Sequence, residues 1–67
     1  MQLTDDDYYE LEAFVRAVMH RVQSGACGVD EGVRSLMHPL TAWDRANWAE
    51  FAPWMRLQRD EWRQRDT

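Results

Sequence analysis

Tyr8, Leu11, Val15, Val18 and Val22 recur at steps of +3, +4, +3 and +4 through the first third of a 67-residue chain. That spacing holds them on one face of an α-helix and is incompatible with the two-residue period of a strand. Phe14 and Met19 widen the stripe. No other segment alternates with a strand's period, so the pattern predicts an all-α fold. The ends of this helix are written locally. Thr4 is placed to cap it, with Asp7 completing a capping-box-like pair, and Gly25 offers a left-handed stop ahead of a Gly25-Ala26-Cys27-Gly28 turn.

A second, shorter helix is expected from about Asp30, carrying Val29, Val33, Leu36 and Leu40 at steps of +4, +3 and +4. Gly32 weakens it and Pro39 is expected to stop it, leaving His38 at or near its end. Thr41-Ala42-Trp43-Asp44 repeats the capping pattern and is expected to open a third helix. Pro53 divides the expectation. Either the third helix is kinked there or it is broken and a new helix begins, with residues 54–65 helical in both cases. The chain therefore reads as a single helical domain over residues 1–67, a small bundle of three to four short helices with the last one kinked or broken at Pro53. No linker, repeat or low-complexity segment divides it.

So short a chain buries only about 60% of the surface its unfolded form exposes. Small domains compensate with disulfides, a metal or association. Cys27 is the single cysteine, which excludes an intrachain disulfide. With no signal peptide in view, it points to a reducing cytoplasm. His20, His38 and Cys27 have no partners at metal-ligand or nucleophile spacing, so no metal, cofactor or catalytic set is expected, and the chain reads as non-enzymatic. No apolar run approaches the roughly 20 residues that span a bilayer, so no membrane partner is expected. Association remains. On a helix continuous through Pro53, Trp48, Phe51, Met55 and Trp62 share one stripe, while Trp43, Trp54 and Leu57 share another about 140° away. One stripe can pack on the first helix and the other needs a partner, for which a second copy is the simplest candidate. A homodimer or higher homo-oligomer is thus expected to complete the bundle.

All eight basic residues are arginines, and the formal charge is −4. That balance argues against direct nucleic-acid binding, which needs a basic excess on one face. Four tryptophans and six of the arginines lie in the second half. Trp and Arg dominate binding hot spots, although four indoles also suffice to fill a small core. The arginines have an equally plain use, in pairs with Asp60 and Glu61 or with the acids Asp5 to Glu12 of the first helix. The functional reading is a small protein-interaction antagonist or adaptor, of the kind phages and mobile elements encode against host factors. Its anchors toward a larger protein partner would be Trp54, Arg56, Arg59 and Trp62. The alternative is an oligomer that sequesters a nucleotide-like anion with Trp48 or Trp54 beside Arg45 or Arg56, since indole stacks on bases and guanidinium binds phosphate. Acidic DNA mimicry by residues 5–12 is a distant third.

Overall fold

The computed structural model describes residues 3–48 and 50–66. These form three helices and no strand: α1 (Asp5–Ser24), α2 (Val29–Asp44) and α3 (Ala52–Arg65). The ends of α1 follow the local code. The Asp7 amide donates to Thr4 Oγ1 at 3.1 Å, and Gly25 adopts φ 83°. The amides of Gly25 and Ala26 donate to the carbonyls of Val22 and Arg21 at 3.2 and 2.9 Å, the paired bonds of a Schellman turn.

The second and third helices depart from expectation in one connected way. α2 does not stop at Pro39 but runs through it to Asp44, and Thr41 opens no new helix. A proline in a helix interior costs about 3 kcal/mol because it removes a hydrogen bond and crowds the preceding turn. Here the ring is fully buried, so apolar burial and the extra turn beyond it offset a penalty that is purely local. Because α2 already contains Thr41 to Asp44, α3 starts later. Pro53 sits in its first turn, where the missing amide has no helical partner to lose. There is no helix continuous from Thr41 through Pro53; of the two expectations at Pro53, the one in which a new helix begins there is the one the structure has. The two stripes drawn on such a helix therefore do not exist as such.

α3 runs in the same sense as α1 and seals it. Phe14 lies at the centre, its ring 5.5 Å from Trp62 in a near-parallel stack and 5.4 Å from Trp54 at a tilt of 58°. Val18, Phe51 and Met55 complete the buried cluster. Arg21 is buried as well, its guanidinium 4.8 Å from the Trp62 ring centroid and ion-paired to Asp66 at the end of α3. Nearer the start of both helices, Glu10 accepts from Arg59 Nε and Nη2 at 3.1 and 2.5 Å and lies 3.6 Å from Arg56. The expected pairing of the last helix's arginines with the acidic first helix is thus present within one chain.

Packing also rotates the register expected for α1. Its buried side chains are Phe14, Val18 and Arg21, whereas Tyr8 and Met19, assigned to the apolar stripe, are exposed. The core line is turned toward α3 and away from the centre of the apolar stripe. The molecule is a flat slab of 35 × 21 × 16 Å. Its surface of 4958 Å² is about a tenth more than the ~4,450 Å² expected for its mass.

Candidate interaction surface

α2 is an amphipathic helix packed with its small side inward. Gly32, Ser35, Pro39 and Ala42 recur at +3, +4 and +3, and all but the half-buried Ser35 are buried. Small side chains let two helices approach closely. A Cβ on Gly32 would sit 2.8 Å from Val22 Cγ2 and 3.4 Å from Val18 Cγ1. Of the larger apolar residues of α2, Leu36 packs against the core and the others point outward. Val33 and Met37 are each 52% exposed, and Val29, Leu40 and Trp43 are exposed too.

α1 contributes the matching edge. Its Val18 and Val22 face α2, and its Glu10, Phe14 and Arg21 face α3. At 100° per residue, Tyr8, Val15 and Met19 fall beyond the α2 contact, on the side turned from α3. Val33, Met37 and Leu40 occupy the corresponding side of α2. One apolar face therefore spans both helices, opposite α3. Tyr8, Leu11, Val15 and Met19 line a groove of about 510 Å³ in it, with Glu12 and Arg16 at the rim. Those two rim residues pair with each other at 3.2 Å. At the far end of α2, Leu40, Trp43 and Trp48 line a second depression of about 530 Å³. Scaled by their exposure, the outward apolar side chains present on the order of 600 Å², as large as the biggest apolar patch of a typical monomer.

The Trp/Arg residues singled out in the second half do not form one surface. Trp62 is buried against Phe14 and Arg21. Trp54 is half-buried and stacks on His38, with ring centroids 3.8 Å apart and an interplanar angle of 21°. Arg59 is turned onto Glu10, while Arg56 keeps 64% of its side chain exposed beside the same carboxylate. Trp48 is half-buried, edge-on to Phe51 at 5.8 Å. Arg45 is exposed on another wall of the molecule. It lines a cleft of about 370 Å³ with Arg34, His38 and Asn47. Trp43 is the most exposed of the four indoles.

The turn that forms this cleft carries strain. After α2 the chain repeats the Schellman pattern, with Ala46 N–H donating to Trp43 O at 2.9 Å and Asn47 N–H to Ala42 O at 2.7 Å. The left-handed position is occupied here by an alanine, Ala46, at φ 54°. A Cβ in that conformation costs about 1–2 kcal/mol, against a smaller entropic cost of glycine in the unfolded chain. Ala46→Gly is accordingly expected to raise stability by about 0.5–1 kcal/mol, read as a higher urea midpoint at unchanged slope.

Among the described residues, no group of His, Cys, Asp and Glu is arranged to share a metal ion, and no helix is long and apolar enough to cross a membrane. A scan against protein-family models, a search of curated proteins and a search of solved structures each return no match.

Proposed function

We propose that this chain is a non-enzymatic protein-binding protein whose working unit is a homodimer closed across the α1/α2 face, acting as an antagonist or adaptor toward a larger protein. The observation that carries the reading is the outward apolar row of α2 beside the exposed edge of α1. About 600 Å² per protomer approaches the ~800 Å² that each side of a stable interface contributes. A second copy suits this face. A two-fold axis brings the same patch against itself, and the rim holds both an acid, Glu12, and a base, Arg16, so related copies meet with unlike charges. Such a dimer leaves the exposed Arg56 of α3 outside, and this is the anchor we assign to the larger partner.

The native mass tests the reading. At about 10 μM the protein is expected as a dimer, and Val33→Glu with Met37→Glu is expected to weaken association by at least about 100-fold, because each buried carboxylate lacks a partner. Both positions are exposed in the protomer, so far-UV circular dichroism should be unchanged. A wild-type protein that stays monomeric at about 1 mM overturns the dimer.

A further inference from the structure

Six of the eight arginines are held by carboxylates within the chain. Arg16 pairs with Glu12, Arg21 with Asp66, Arg56 and Arg59 with Glu10, Arg63 with Asp60, and Arg65 with Glu61. Among the described residues Arg34 and Arg45 alone have no such partner, and both line the same cleft. They belong to a polar row of α2, Arg34, His38, Thr41 and Arg45, at steps of +4, +3 and +4. By helical phase this row lies on the side of α2 turned from α1, and it borders the apolar face, whose Met37 also lines the cleft. After the left-handed turn at Ala46, Asn47 and Glu50 line the cleft's other side.

We infer that this cleft binds a nucleotide, with Arg45 taking its phosphates, His38 stacking on its base and Arg34 donating to the base edge. The inference does not rest on the dimer. Guanidinium groups without a carboxylate are free to bind phosphate oxygens in pairs, the geometry for which arginine is suited. The two arginines sit about 16 Å apart along the helix axis with His38 between them, so a base on His38 directs its phosphates toward the more distant Arg45 and its edge toward Arg34. Between them the His38 ring is fixed by its stack on Trp54 and still has 41% of its side chain exposed. It is a flat, held surface of the kind bases stack on. Thr41 and the Asn47 amide supply neutral hydrogen-bonding groups on the walls. Among the described residues Glu50, 3.6 Å from His38 Nε2, is the one carboxylate lining the cleft and leaves it with a positive excess. The cleft's volume falls in the range of small-molecule sites.

Titration of the full chain with adenosine diphosphate, read by calorimetry and by tryptophan emission, tests this. Saturable binding with a change in emission is expected, because Trp54 lies directly behind His38. Arg34→Gln and Arg45→Gln should each weaken binding about tenfold with unchanged helicity, and Arg65→Gln should leave it unaltered. Absence of saturation at about 5 mM nucleotide overturns the site, as does binding indifferent to both cleft variants. Inorganic phosphate binding as tightly as the nucleotide overturns the role given to His38 and with it the ligand class.

Discussion

Phe14→Ala is expected to abolish cooperative folding. The side chain is fully buried and touches both Trp54 and Trp62, so its removal opens a cavity where α1 meets α3. Truncation of a buried phenylalanine costs about 3–5 kcal/mol, whereas a core this small supplies only about 3–5 kcal/mol in total. The variant should lose the near-ultraviolet signal of packed tryptophan and show a broad, featureless urea transition while keeping part of its helicity. A change below about 1 kcal/mol would mean that Phe14 is not the centre of the core.

Gly32→Leu is expected to be the second most damaging change, through excess volume instead of its loss. The first atom of any side chain already meets Val22 and Val18, and valine has little rotamer freedom with which to retreat. Forcing three further carbons into this crossing pushes α1 from α2. Overpacking costs of about 1–3 kcal/mol are usual, with larger ones where backbones must move, against roughly 0.8–1 kcal/mol gained by replacing glycine in a helix. The net loss should be about 2 kcal/mol in chemical denaturation. Gly32→Ala sets the scale, since there the helical gain and the shift of one methyl nearly cancel, and it should fall within about 0.5 kcal/mol of wild type.

How much of this was legible in the sequence varied with the range of the forces involved. Thr4 and Gly25 bounded α1 correctly because a capping hydroxyl and a left-handed glycine act within one turn of backbone. Pro39 misled for the same reason. Its penalty is local, but the burial that overrides it comes from the rest of the fold. Once α2 continued, the helix start shifted from Thr41 to Ala52, and the tryptophan phases drawn across Pro53 lost their basis. In α1, the apolar spacing identified a helix but not the direction from which α3 would arrive, so Phe14 and Arg21 became core while Tyr8 and Met19 stayed outside.

The site was less legible than the fold. Val33 and Leu40 were visible as a helical row, yet their spacing alone reads as core. The contrary signal was the opposite row, Gly32, Ser35, Pro39 and Ala42, whose small size permits close helix packing and leaves the large residues other than Leu36 outside. Arg45 was singled out and Arg34 was not. Asp30, one turn before Arg34, makes that arginine look paired on paper, and only the three-dimensional arrangement leaves it without a carboxylate.

The inward small row and outward large row of α2 divide its substitutions into two populations with little overlap. Enlarging Gly32 beyond a methyl, or replacing the buried Pro39 or Ala42, acts on the folding of the single chain at any concentration. Changes at Val33, Met37 or Leu40 fall on exposed side chains, so under the proposed dimer they act on association and leave unimolecular unfolding almost untouched. The outer row can therefore drift without passing through an unfolded ancestor, and any surface that row serves is free to change with it.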